Sequence, residues 1–393
     1  MATCEWRSGY LRLHPQAALK KLEKLCVYHI GRDELYEIDD RAGDFLARCD
    51  GTHTGRDLTA DAAFVEYCLS EGLLEALDNP APGRVRINDP VSPSLRYLEL
   101  QLLHKCNLTC LHCYLGLLQQ DYLPLADALK IAREFSSMGG LRLLISGGEP
   151  LLYRDLKTFL AETQNLPLRR VLLTNGTLIN PKNVGSLKVE EVQFSLDGWA
   201  EGHDMIRGAG AFERCMRGIR TVRDAGIAIS VATMIHRGNL DQFERMRDLV
   251  EEIGAIEWGV DAPALAGSFR DHDDLFVPYE KASPLMAYAF GGGYHGSSDG
   301  YACGRHLLTI FPCGQAAKCG FYRDKPLGDV RQGLKQCWLK LEHIPLSRLE
   351  CRGCRVLDEC AGGCRFRAPR PLAADPVMCS LYGMERKASF GDP

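Results

Sequence analysis

Seventeen cysteines in 393 residues, bunched instead of spread, constrain this chain more than anything else in it. Three lie between 106 and 113, eight between 303 and 364, and Cys379 follows closely. The first 30 residues carry Glu5, Arg7, Arg12, Lys20 and Lys21 where a secretory signal has an apolar run and a small-residue cleavage site, which predicts a cytoplasmic protein. Thiols stay reduced in that compartment, and an odd count leaves one outside any set of pairs, so metal ligation is expected instead of a disulfide scaffold. Cys4, Cys26, Cys49, Cys68 and Cys215 stand apart in apolar or helical settings and read as ordinary buried thiols.

The stretches between the clusters predict an α/β fold. Apolar strand-like runs at 95–103, 141–146, 169–174, 191–196, 227–235 and 256–260 alternate with helix-like stretches at 124–138, 155–164, 211–225 and 240–253. Such alternation implies βαβ units in a parallel sheet, and six of them suit a partial (β/α)6 TIM-type barrel with its chemistry at the C-terminal ends of the strands. Residues 1–90 read as a small α/β, winged-helix-like domain, set off by the turn-rich 78–83 and 89–93. Within it Leu25 to Ile30 pairs with Glu34 to Ile38 across Gly31-Arg32-Asp33, while 41–49, 54–58 and 60–77 look helical or turn-like. A barrel domain over 95–290 and a Cys-rich iron–sulfur domain over 300–385 complete the expected order, the last exchanging part of a hydrophobic core for metal ligation.

Composition removes two classes of partner. A net charge of -4 offers no basic excess for nucleic acid, and no window holds the ~18 uncharged apolar residues of a membrane span.

The first cluster, Cys106-Asn-Leu-Thr-Cys110-Leu-His-Cys113-Tyr114, follows directly on the strand Leu98 to Leu103. Four cysteines would close a zinc site or a saturated cluster, whereas three leave one coordination position open for a ligand. A zinc site is the plain alternative. The pattern resembles the radical S-adenosylmethionine (SAM) superfamily, defined by Cys-x3-Cys-x2-Cys with an aromatic residue following. Further motifs stand at the expected strand ends: Ser146-Gly147-Gly148-Glu149-Pro150, Thr174-Asn175-Gly176, Ser195-Leu196-Asp197-Gly198 and Arg207-Gly208. The resemblance implies a [4Fe–4S] cluster on Cys106, Cys110 and Cys113. It also implies a SAM amino group held by Gly147, Gly148, Glu149 and Pro150, a pocket lined by Asn175, Ser195, Asp197 and Arg207, and Tyr114 near the adenine. One-electron cleavage of SAM would give a 5′-deoxyadenosyl radical that takes a substrate hydrogen, with a ferredoxin or flavodoxin as the low-potential donor.

In the second cluster, ten residues, Gly314 and four more separate Cys303 from Cys319; Cys351-x2-Cys354-x5-Cys360-x3-Cys364 and then Cys379 follow. This resembles the seven-cysteine signature of the SPASM domain, with two auxiliary [4Fe–4S] clusters. The resemblance implies Cys351, Cys354, Cys360 and Cys379 on one and Cys303, Cys319 and Cys364 on the other. The eighth ligand is Cys313, Cys337 or an open position. A pair of zinc ribbons is the alternative.

Proteins of this kind mostly modify peptides, and the N-terminal segment looks like the leader-peptide recognition domain known from pyrroloquinoline quinone biosynthesis. The expectation is a maturase that installs a thioether, a carbon–carbon crosslink or an epimer in a ribosomally made precursor peptide. A sulfatase maturase is a rival, weakened because Gly320 stands where that subgroup carries an acid, with Asp324 four residues on. A haem- or cofactor-pathway radical SAM enzyme and a non-catalytic iron–sulfur peptide-binding protein are the others. No residue is singled out as the catalytic acid or base.

Overall fold

The computed structural model describes residues 5–58, 61–116, 121–293, 295 and 300–384; Cys4, Ala60 and Glu385 lie outside them. The chain divides into two compact units, one of residues 1–98 with 130–143 and 165–169, the other of 99–129, 144–164 and 170–393.

The first unit holds β1 (Tyr10–Leu13), β2 (Ala17–Lys21), β3 (Leu25–His29), β4 (Glu34–Glu37), α1 (Asp40–Arg48), β5 (Asp50–Thr54), α2 (Ala62–Ser70) and β6 (Leu74–Leu77). Two three-stranded antiparallel sheets result, ordered β5-β1-β6 and β2-β3-β4. The expected β3–β4 pair is present, Val27 opposite Tyr36. Three strands, β1, β2 and β5, were not foreseen, and 74–77 is a strand where helix or turn was expected. Asp39 and Asp61 cap α1 and α2 by accepting from Ala42 N and Ala63 N at 2.7 and 2.9 Å. Those helices bury Phe45, Leu46, Val65 and Cys68 against Leu11, Leu19 and Val27. Lys20 explains why β2 escapes a sequence reading. Its ammonium lies in the interior, donating to Gly140 O at 2.9 Å and Pro167 O at 2.7 Å, and burial draws its pKa down to about 7.

The largest sheet is built on strands β7 (Tyr97–Gln101), β8 (Arg142–Ser146), β9 (Arg169–Thr174), β10 (Glu191–Ser195), β11 (Ala228–Met234) and β12 (Glu257–Asp261), interleaved along the chain with α3 (Leu125–Ser137), α4 (Leu156–Thr163), α5 (Ala200–Arg207), α6 (Ala211–Asp224) and α7 (Phe243–Glu252). The six strands stand side by side in chain order, and β9 to β12 pair parallel in register. The alternation expected from the sequence is therefore the architecture, an α/β fold on a mostly parallel sheet. The short helix α8 (Tyr279–Ala282) follows. The Cys-rich segment then extends the sheet beyond β7 with β13 (Leu307–Ile310), β14 (Gln315–Ala317) and β15 (Gly328–Asp329), and adds α9 (Leu334–Leu339), α10 (Leu357–Cys360) and α11 (Pro376–Leu381). Its small apolar cluster, Ala302, Leu346, Leu349 and Leu357, is completed by Cys351, Cys354 and Cys360. Among the described residues no helix is long and apolar enough to cross a membrane.

Candidate functional site

The segments that leave β7, β8, β9 and β10 carry the motifs, as strand ends in α/β sheets do. Leaving β7, the chain runs through Leu103, His104 and Lys105 into Cys106. Gly148 N donates to Leu103 O at 2.8 Å and Glu149 N to Lys105 O at 2.9 Å, so the β8 loop lies directly against the approach to the cysteines. A Cβ on Gly147 would stand 2.5 Å from Leu103 O, and one on Gly148 2.4 Å from both His104 O and Lys105 O. The paired glycines thus admit the backbone of the cysteine loop itself, where the motif alone pointed to close approach by a ligand.

Glu149 is fully buried and its carboxylate is committed within the protein. Oε1 accepts from Thr174 Oγ1 at 2.8 Å and Leu151 N at 3.1 Å, and Oε2 accepts from Asn175 N at 3.0 Å. Burial raises its pKa against these donors. Glu149 therefore fixes the β9 turn, and Pro150 opens the short turn Pro150–Leu152 behind it. Asn175 in turn reaches the cysteine loop. Its Nδ2 donates to Asn107 Oδ1 at 3.0 Å and lies 3.9 Å from Cys106 Sγ.

At the end of β10, beyond Ser195, Asp197 is buried and receives the Arg207 guanidinium on Oδ2 and Met234 N on Oδ1 at 2.8 Å. Burial alone would raise the acid; Arg207 and the nearby histidines hold it well below the usual carboxylate range. Arg207 also directs Nη1 at Cys110 Sγ, 3.9 Å away, and Nη2 at His112 Nε2, 3.3 Å away. His112, inside the cysteine motif, was not singled out by sequence reasoning. Burial draws its pKa down to about 3, and that of His203 to about 4. His112 Nδ1 and His203 Nε2 are buried without a hydrogen-bond partner among the described residues.

The three thiols lie within electrostatic reach of one another, and burial pushes Cys110 up to about 11. N–H groups of Leu108, Asn175 and Arg207 point at their sulfurs. Donors aimed at thiolates suit an anionic cluster, so these residues fit the [4Fe–4S] group that the motif implies. Among the described residues no three His, Cys, Asp or Glu side chains converge as one metal ion requires.

Tyr114 is tied to β7 and to the C-terminal segment. Its hydroxyl donates to Glu99 Oε1 at 3.0 Å and its ring packs on Phe321, centroids 5.4 Å apart. Glu99 also accepts from Gln101 Nε2, Ser146 Oγ and Thr309 Oγ1 at 3.0, 2.9 and 2.7 Å. A lone acid in an apolar strand gave no sequence signal for this junction.

In the C-terminal segment, Cys351, Cys354, Cys360 and Cys379 line one pocket with Gly362, Asp375 and Met378. Cys303 and Cys364 share a hydrogen bond that brings Cys303 down to about 6 and pushes Cys364 up, and Cys319 lies within electrostatic reach of Cys364. Asp375 braces both groups, accepting from Cys364 N at 2.7 Å and from Val377 N at 3.0 Å, at the head of the helix that carries Cys379. Cys313 does not join them. It occupies the Phe311-to-Gly314 turn of the β13–β14 hairpin, whereas Cys303 and Cys319 flank the hairpin's other end. Cys337 is buried on α9, its sulfur 3.3 Å from where a Cβ on Gly328 would stand.

A sequence profile of the Radical SAM superfamily matches residues 100–250. Among curated relatives, the AdoMet-dependent heme synthase of Nitratidesulfovibrio vulgaris is 28% identical over 328 residues, 70% of this chain and 89% of that one. The mycofactocin maturase MftC of Mycobacterium ulcerans is 30% identical over 330 residues, 73% of this chain and 88% of that one. Among solved structures, Streptococcus suis SuiB bound to precursor peptide SuiA superposes with a TM-score of 0.68 at 16% identity, over 94% of this chain and 99% of that one. With the three-cysteine loop and its neighbouring strand ends in place, this chain belongs to the radical SAM superfamily.

Proposed function

We propose that this protein is a maturase that modifies a ribosomally made precursor peptide by removing hydrogen from a peptide carbon, leaving a thioether, a carbon–carbon crosslink or an epimer. A cluster held by Cys106, Cys110 and Cys113, with SAM bound, would supply the radical chemistry for that abstraction. The chain's own residues hold the site. Glu149 and Asn175 brace the cysteine loop, and Arg207, anchored by Asp197, sets a positive charge beside Cys110.

The observation carrying the reading is that likeness to a peptide-bound enzyme spans 94% of this chain, including its N-terminal unit. In that unit β4 is the edge of its sheet, half-exposed, and an extended peptide binds such an edge by adding a strand. We assign residues 1–90 to leader recognition, 95–290 to the radical SAM barrel and 300–385 to a SPASM-like domain. Cys351, Cys354, Cys360 and Cys379 would hold one auxiliary [4Fe–4S] cluster, and Cys303, Cys319 and Cys364 another with one position open. A ferredoxin or flavodoxin would supply electrons.

The heme synthase relative favours a second reading, a porphyrin substrate. Anaerobic incubation with SAM and dithionite separates them. A short peptide encoded beside the gene should raise 5′-deoxyadenosine release and change in mass or stereochemistry. Stimulation by an iron porphyrin, with carbon dioxide released and the peptide unchanged, would replace the maturase reading.

A further inference from the structure

Three aromatic residues, each one or two positions past a cysteine, form a continuous row inside the second unit. Tyr114 follows Cys113, Phe321 lies two residues past Cys319, and Phe366 two past Cys364. Tyr114 and Phe321 have centroids 5.4 Å apart, and Phe321 stacks on Phe366 at 4.8 Å with 21° between planes. Tyr114 lies within electrostatic reach of both Cys113 and Cys319.

The row is held at its first member. Glu99 takes the Tyr114 hydroxyl, while its other oxygen takes Thr309 Oγ1 from β13, the strand between Cys303 and Cys319. One carboxylate therefore ties the end of the first cysteine loop to the hairpin that carries the second group. Gly320 completes the fit, because a Cβ there would stand 2.7 Å from the Tyr114 ring. A side chain at position 320 would force the Tyr114 ring to shift.

We propose that Glu99, Tyr114, Phe321 and Phe366 form a built bridge that sets one-electron exchange between the Cys106/Cys110/Cys113 group and the Cys303/Cys319/Cys364 group. This rests on the reading that both groups hold [4Fe–4S] clusters. In the step a single electron leaves one cluster and arrives on the other, with no bond made or broken and no proton moved. The ring contacts at 5.4 and 4.8 Å offer a path through packed atoms, and tunnelling weakens steeply across empty space.

The test uses anaerobically reconstituted full-length protein, reduced by a pulse of photoexcited deazaflavin and followed by freeze-quench electron paramagnetic resonance. Phe321→Leu and Phe366→Leu keep apolar volume and lose the aromatic face. Each should keep wild-type iron and sulfide while exchange between the two signals slows several-fold, and Phe290→Leu, whose ring packs on Trp258 and touches no member of the row, should leave the rate unchanged. Wild-type exchange in iron-replete Phe321→Leu overturns the bridge, as does loss of iron from both leucine variants, which would make the rings cluster supports. If Cys303→Ala/Cys319→Ala/Cys364→Ala retains all the wild-type iron, the auxiliary-cluster reading itself falls, and the bridge with it.

Discussion

Asn175 Nδ2 donates to Asn107 Oδ1 at 3.0 Å, so the end of β9 is bonded to the residue immediately after the first cysteine of the loop. Thr177 Oγ1 closes the link by accepting from Asn107 Nδ2 at 2.8 Å. Asn175→Ala removes the amide from this link, at about 1 kcal/mol per lost hydrogen bond. Iron content after anaerobic reconstitution should fall, with the rest of the fold unchanged by circular dichroism. Full iron occupancy in that variant would show that the loop holds itself.

Gly148→Ala should be more severe. The added methyl meets two backbone oxygens, His104 O and Lys105 O, neither of which can swing aside. Overpacking of this kind costs about 1–3 kcal/mol, and relief requires moving the approach to Cys106. Thermal unfolding should show a lower midpoint, and iron binding should drop with it. A variant with wild-type midpoint and iron would mean the loop yields without cost.

Asp197 and Arg207 have side chains only 2% and 10% exposed, so each depends on the other. Asp197→Ala leaves the guanidinium uncompensated, and breaking a buried pair costs about 3–5 kcal/mol. Chemical denaturation of the reconstituted protein should register a loss of that order. A loss under about 1 kcal/mol would place Arg207 in contact with water or another anion.

A pH effect is expected in the first unit. Burial works to raise the Glu23 acid, but Ser94 N at 2.8 Å and the Arg96 guanidinium bring it from the ordinary 4.5 down to about 2. A carboxylate depressed in this way contributes stability that is fully present above pH 4.5 and lost as the pH falls towards 2. The Glu23 side chain is 27% exposed, so screening keeps the contribution small. Glu23→Gln should flatten the unfolding midpoint across that window. An unchanged slope would assign the acid sensitivity to other carboxylates.

The six central strands were legible because each is a short apolar run set between helix-length amphipathic stretches, and strand order then followed from βαβ connection. Leu74–Leu77 was misread because Leu-Glu-Ala-Leu favours a helix, and pairing with β1 overrides that preference. Ala17–Lys21 hid for a different reason, its inward lysine making the pattern look solvent-exposed. In the site, Cys106, Cys110, Cys113, Glu149, Asn175, Asp197 and Arg207 were readable from motifs at strand ends. Their division of labour was not. Glu149 also braces a turn, the glycines admit backbone and Tyr114 meets Glu99, contacts that partners far apart in sequence decide.

The most direct test is release of 5′-deoxyadenosine from SAM under anaerobic reduction, with and without the precursor peptide. Wild-type protein should release it, release should rise with peptide, and Cys106→Ala, Cys110→Ala and Cys113→Ala should each abolish it. Release that survives in the cysteine variants would contradict the assignment of the loop, and release indifferent to every peptide offered would contradict the maturase.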